Sequence, residues 1–168
     1  ILARGATISG RVADKATGQA LSGIRVAVSM TTSPYQWASA LTDDQGNYRT
    51  TGLPAGAATV VFYDILGRGY LDLYYDQVTL RDQATQLTFS LGEQVTGIDG
   101  NMQLGGSISG TVTDSSGAAI EGVCVSAEML DGSGNWSCVD SSGRYRIVGL
   151  QGGEYRVRFD SDTHPTRW

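Results

Sequence analysis

A pattern that occurs twice, 100 residues apart, constrains this chain more than any other feature. Residues 6–62 read ATISGRVADKATGQALSGIRVAVSM and then ALTDDQGNYRTTGLPAGAATVVF. Residues 106–159 read GSISGTVTDSSGAAIEGVCVSAEM and then SCVDSSGRYRIVGLQGGEYRVRF. Ile8, Gly10, Val12 and Asp14 recur as Ile108, Gly110, Val112 and Asp114. Gly46, Tyr48, Arg49, Gly52, Leu53 and Gly56 recur as Gly143, Tyr145, Arg146, Gly149, Leu150 and Gly153. Solenoid repeats are much shorter than this period, so each copy is expected to be a whole domain, residues 1–104 and 105–168.

Within each copy the hydrophobic period is two. Ile24, Val26 and Val28 alternate with Arg25, Ala27 and Ser29, which is how a half-buried strand reads. Asp44–Asn47 and Ser141–Arg144 read as hairpin turns, and Val60 with Phe62 and Val157 with Phe159 as a further strand. The 23 glycines are spread between apolar runs, as short strands joined by tight turns require. No amphipathic helical pattern and no run of 18 apolar residues is present. The expected class is all-β, two antiparallel sandwiches in tandem. Their cores are expected to hold Ile8, Val12, Val26, Val28, Tyr48, Leu53 and Phe62 in the first copy. Val112, Val125, Tyr145, Leu150 and Phe159 are the counterparts in the second.

The residues that carry both copies, I-S-G-x-V-x-D, G-x-Y and G-L-x-x-G, resemble the carboxypeptidase regulatory-like domain, a transthyretin-like seven-stranded sandwich. The resemblance covers nearly all of copy one and most of copy two. It implies a fold, and leaves function open because such domains accompany many partners. The copies differ at their ends. After Phe62 the first continues through YLDLYYD, TQLTFSL and TGIDGNMQL, whereas DSDTHPTRW follows Phe159. The second sandwich is therefore expected to lack its last two strands, which a longer polypeptide or another chain would supply. Ile1 and the absence of a leader-like stretch make the sequence read as a processed or excised piece.

Several classes of chemistry are excluded by inventory. The zinc peptidases that carry this accessory domain need two histidines and a glutamate, and the sole histidine, His164, reads as a surface loop residue. No G-x-S-x-G elbow is present, so no catalytic residue, cofactor or metal is expected. Asp43 with Asp44, and Asp131, Ser133 and Asn135, form oxygen-rich loops that lack the EF-hand pattern and read as turns. Related collagen-adhesin sandwiches carry Lys–Asn isopeptide bonds, but Lys15, the only lysine, lies in a polar turn. A net charge of −5 argues against nucleic acid, and no basic cluster is present to meet a membrane or a polyanion.

Four surface features remain. Cys124 alternates outward between Val123 and Val125, and Cys138 aligns with Leu41 on the neighbouring strand, so a cross-strand disulfide is the simplest reading. It would close a loop of about 15 residues and contribute about 3 kcal/mol in the chain-entropy model; the alternative is a pair of free thiols. Trp37 and Trp136 fall on one side of equivalent strands, and Tyr70, Tyr74 and Tyr75 crowd one segment. These aromatics either cover a seam or stack on sugar rings. Asn135-Trp136-Ser137 is an N-glycosylation sequon in an expected loop. The sequence is thus read as a non-catalytic structural or adhesive module of a secreted or cell-surface protein, arrayed with copies of itself or other protein domains. The rivals are a carbohydrate-binding module and an accessory domain of a secreted hydrolase.

Overall fold

The computed structural model describes residues 4–31 and 36–161, and the chain divides into two compact units. The first comprises residues 1–66 and 70–104, the second residues 67–69 and 105–168. His164 lies outside the described residues.

Unit 1 is a sandwich of two sheets. Strand β1 (Ala6–Asp14) pairs antiparallel with β4 (Asn47–Leu53) and, on its other edge, with β8 (Gln94–Val95) and β9 (Gly100–Met102). In the second sheet β2 (Arg25–Met30) lies between β3 (Trp37–Leu41) and β5 (Gly56–Tyr63), and β5 also pairs with β6 (Leu73–Tyr74) and β7 (Leu87–Phe89). The period of two, with a change of phase at Gly52 that turns Leu53 inward, places Ile8 and Val12 of β1 and Tyr48 and Leu53 of β4 against Val26 and Val28 of β2 and Val60 and Phe62 of β5. All seven expected core residues of this copy are buried. Each such aliphatic or aromatic side chain contributes roughly 1.5–3 kcal/mol by leaving water.

Two features depart from a purely antiparallel hairpin scheme. β8 and β9 run parallel to β1, in the registers Ile8 with Val95 and Ala13 with Asn101. The turn at residues 44–47 does not close a hairpin, because β3 pairs with β2 and β4 with β1. It carries the chain from one sheet to the other, with Gly46 at φ 77° and the Asp43 carboxylate accepting from Gln45 N and Asn47 N. Residues 141–144 do the same in the second copy, where Asp140 accepts from Ser142 N and Arg144 N.

Unit 2 repeats the central strands. β10 (Gly106–Thr111) pairs with β13 (Arg144–Leu150), and β11 (Val123–Glu128) lies between β12 (Gly134–Cys138) and β14 (Arg156–Ser161). Even the irregularity recurs: the β1–β4 register slips between Ala6 and Ile8, and the β10–β13 register slips between Gly106 and Ile108. The cause is common to both, a glycine at positive φ one residue before the paired leucine, Gly52 at 80° and Gly149 at 71°. The core of this unit is smaller, formed by Val123, Val125, Ala127, Ile147 and Leu150. Of the expected core, Val125 and Leu150 are buried, Val112 and Tyr145 are only half-buried, and Phe159 is 39% exposed.

Candidate functional site

The outer edge of the β1 family of strands is where the two units differ most. In unit 1 the outward groups of β1 are satisfied by the segment that follows the repeat. Thr7 N donates to Glu93 O at 2.9 Å, Ile98 N donates to Ser9 O at 3.1 Å, and Arg11 N donates to Asp99 Oδ1 at 2.7 Å. The same segment closes the core. Tyr48 Oη donates to Ile98 O at 2.6 Å, and burial together with Asp99 pushes the phenol well above its usual range, so it acts as a neutral donor. Gly100 lies flat on Phe62: a Cβ there would come within 3.1 Å of the ring.

In unit 2 the corresponding groups face outward from Ser107, Ser109 and Thr111. Among the described residues β10 pairs only with β13, and β14 only with β11. Tyr145 and Phe159 keep the edge-to-face geometry of Tyr48 and Phe62, with centroids 5.9 Å apart against 6.1 Å. No counterpart of Gly100 covers Phe159 among the described residues, which accounts for its exposure and for that of Val157 at 40%. An open strand edge beside uncovered apolar surface is a template for strand addition.

The cysteines are joined. Val139 N donates to Val123 O at 2.9 Å, so the next pair along, Cys124 with Cys138, is a non-hydrogen-bonded pair in which side chains approach most closely. The disulfide links these two directly opposed residues, with Cα atoms 3.8 Å apart. Arg25 and Leu41 oppose each other at the equivalent place in unit 1.

The candidate aromatic residues divide between the two units. Trp37 and Trp136 stand exposed, at 74% and 67%, each on the edge strand of its own unit. Tyr70 and Tyr75 instead pack against the core of unit 1, and Tyr70 Oη donates to Asp14 Oδ2 at 2.9 Å. Tyr74 is half-buried in β6, and burial raises its phenol pKa. The spacing of the tyrosines carried no sign that Tyr70 and Tyr75 pack against the core.

Asn135 lies in β12 rather than in a loop. Its Nδ2, the atom a glycan would join, donates to Val148 O at 2.9 Å. Asp131 Oδ1 accepts from Ser133 N and Oγ, a local turn. Among the described residues no three acidic, histidine or cysteine side chains gather in a metal-binding group, and no helix is long and apolar enough to cross a membrane. Sequence reasoning missed Ile98, Asp99 and Gly100, whose segment shows no strand-like alternation and acts through backbone groups.

The carboxypeptidase regulatory-like domain model matches residues 7–92 and 107–168. No curated protein matches the chain. Among solved structures, a streptococcal ancillary pilin aligns at 17% identity and a TM-score of 0.44, over 95% of this chain and 54% of that one. The minor pilin of Streptococcus agalactiae aligns at 14% identity and a TM-score of 0.40, over 97% of this chain and 84% of that one. A shaft pilin from Lactobacillus rhamnosus GG aligns at 12% identity and a TM-score of 0.41, over 98% and 90%. The chain thus spans 54% of the first of these structures.

Proposed function

Because this chain belongs to the carboxypeptidase regulatory-like domain family, a fold that fixes no single activity, we propose that its work is done at its strand edges. In this reading it is a non-catalytic structural and adhesive module of an extracellular surface protein, assembled head-to-tail by strand complementation. One observation carries it: residues 94–102 seal the outer edge of β1 in unit 1, while β10 has no strand on that edge among the described residues. The incoming strand would run parallel to β10, hydrogen-bond to Ser107, Ser109 and Thr111, and lay a small residue over Phe159 as Gly100 lies over Phe62. A contact of this kind joins unlike surfaces, so it propagates rather than closing into a two-fold dimer. The disulfide across β11 and β12 supports an oxidising, extracellular setting.

The test uses the full chain. Sedimentation at rising concentration should show open-ended association, and hydrogen exchange should show the Ser107, Ser109 and Thr111 amides slowing as the chain associates. A chain that stays monomeric at millimolar concentration, with those amides already protected, would remove the proposal.

A further inference from the structure

The outer face of the β3–β2–β5 sheet in unit 1 carries a row of side chains fixed by register. Trp37 opposes Ser29 on one side, and Thr59 opposes Ser29 on the other. Inward neighbours Val28, Met30, Ala58 and Val60 are buried, so Trp37, Ser29 and Thr59 share the outward face. Two strand spacings separate Trp37 from Thr59, about 10 Å. Beyond Thr59 the short 3₁₀ turn Arg81–Gln83 brings Arg81 to the same groove, which encloses about 450 Å³. The result is a small polar floor, Ser29 and Thr59, between an indole wall and a guanidinium wall. Among the described residues the Arg81 guanidinium has no ion-pair partner.

Unit 2 builds a similar row two residues away in its own register. Trp136 opposes Ser126, and Ser126 opposes Arg158. Ser126 Oγ is buried and has no hydrogen-bond partner among the described residues. Here the arginine is partly neutralised, because its Nε donates to Asp160 Oδ2 at 2.6 Å. The shared arrangement is tryptophan on the edge strand, serine on the middle strand, and arginine beyond. The strict repeat alignment does not produce it, since Trp37 aligns two positions before the residue matching Trp136.

We infer that the unit 1 groove binds a pyranose ring that carries one carboxylate, with the Trp136–Ser126–Arg158 row as a weaker second subsite. The ring's C–H face stacks on the indole of Trp37, whose exposed aromatic surface otherwise stays in water. The carboxylate accepts a charge-assisted pair of hydrogen bonds from Arg81, and the ring hydroxyls meet Ser29 and Thr59. An aromatic wall alone would accept any sugar; the Arg81 guanidinium, which neighbours the Tyr63 and Tyr74 hydroxyls and has no carboxylate partner among the described residues, selects an acidic one. The net charge of −5 does not oppose this, because charges more than about 8 Å away are screened at physiological salt.

Titration calorimetry with three soluble probes tests the site: sialyllactose for a terminal acid, hyaluronan tetrasaccharide for an internal uronate, and lactose for a neutral sugar. At least one acidic probe should bind with one dominant site per chain, and lactose about tenfold or more weaker. Trp37→Ala and Arg81→Gln should each weaken the acidic probe about tenfold or more, with unchanged thermal unfolding, while Arg81→Lys recovers part of the loss. Trp136→Ala should leave the dominant site intact. The inference fails if no acidic probe binds, if lactose binds equally well, or if Arg81→Gln leaves the affinity unchanged. It also fails if Trp37→Ala alters only the chain's association state, which would make the indole a protein contact.

Discussion

Tyr48 with Phe62 and Tyr145 with Phe159 are one ring pair built twice, with nearly the same spacing and tilt, and among the described residues only the first is covered by a further strand. Phe62 is fully buried beneath Gly100, and Tyr48 is buried beneath Ile98, whose carbonyl it holds. Phe159 is 39% exposed and Tyr145 half-buried. The strands that define the repeat therefore set the geometry of the aromatic pair without setting its burial. Burial comes from a segment outside the repeat, and the same segment satisfies the outer edge of β1. Closing the core and closing the edge are thus done by one segment in unit 1, and among the described residues unit 2 shows neither closure.

The largest test of this contrast is truncation of the two phenylalanines. Phe62→Ala empties a fully buried site and should cost unit 1 about 3–5 kcal/mol. Phe159→Ala removes a ring already partly in water and should cost unit 2 only about 1–2 kcal/mol. Native-state hydrogen exchange, read separately over β2 and β11, measures both in the full chain. Equal losses would mean that unit 2 is sealed in solution.

The parts legible in the sequence are those governed by alternation and by glycine. Val26 and Val28, Tyr48 and Phe62 were identifiable as core because each sits at an inward position of a period-two run, while Leu53, which falls out of that phase beyond Gly52, was identifiable from its recurrence as Leu150. The opposed cysteines were legible for the same reason, since outward parity and the repeat alignment place both on one face. Two things were not legible. Sheet membership across the turns at 44–47 and 141–144 depends on which face each strand buries, and a tight turn looks alike within a sheet or between sheets. The sealing segment acts through the carbonyls of Glu93 and Ile98, the Asp99 carboxylate and the absent side chain of Gly100, none of which leaves a hydrophobic period. The sandwich fold was thus predictable, while the pairing along the outer edge of β1 was not.

The disulfide sharpens the comparison next. It closes its loop only in unit 2, the unit with the smaller core, so Cys124→Ser/Cys138→Ser should destabilise unit 2 by about 3 kcal/mol and leave unit 1 untouched. Exchange rates over β11 and β12 should rise while those over β2 and β3 stay the same. A loss shared equally by both units would show that they unfold as one cooperative body.

A smaller effect isolates the tyrosine hydroxyl. Tyr48→Phe strands the buried Ile98 carbonyl and should cost unit 1 about 1–2 kcal/mol, seen as faster exchange of the Ile98 and Arg11 amides. Tyr145→Phe should cost unit 2 almost nothing while its edge is open, because no described residue accepts from that hydroxyl. If added partner strand makes Tyr145→Phe destabilising, the hydroxyl has found the carbonyl that Ile98 supplies in unit 1, and the two units have become alike.

The smallest effect lies in the acid limb of stability. Asp14 and Asp114 are repeat partners, and each folds a turn onto its own carboxylate. Asp14 is held below the usual carboxylate range first by the Thr17 backbone N–H, then by the Tyr70 hydroxyl and the Thr17 hydroxyl. Asp114 is lowered first by the Ser116 hydroxyl and then by the Ala118 and Ser116 backbone N–H groups. A folded-state pKa below the unfolded one means that the stabilisation is complete above the ordinary value of 3.8 and disappears as pH falls through the lower, folded value. Both units should therefore lose stability on acidification below about pH 4. The difference is Tyr70, which binds the second oxygen of Asp14 at 2.9 Å and comes from the segment after the first copy. Tyr70→Phe should move the Asp14 titration upward, so that the acid loss of unit 1 is smaller and is complete at a higher pH, leaving Asp114 and unit 2 where they were. Carboxyl carbon shifts followed by NMR from pH 6 to pH 2 measure both residues in one experiment. An unmoved Asp14 would mean that the turn alone sets its acidity, and that at this position the two units do not differ.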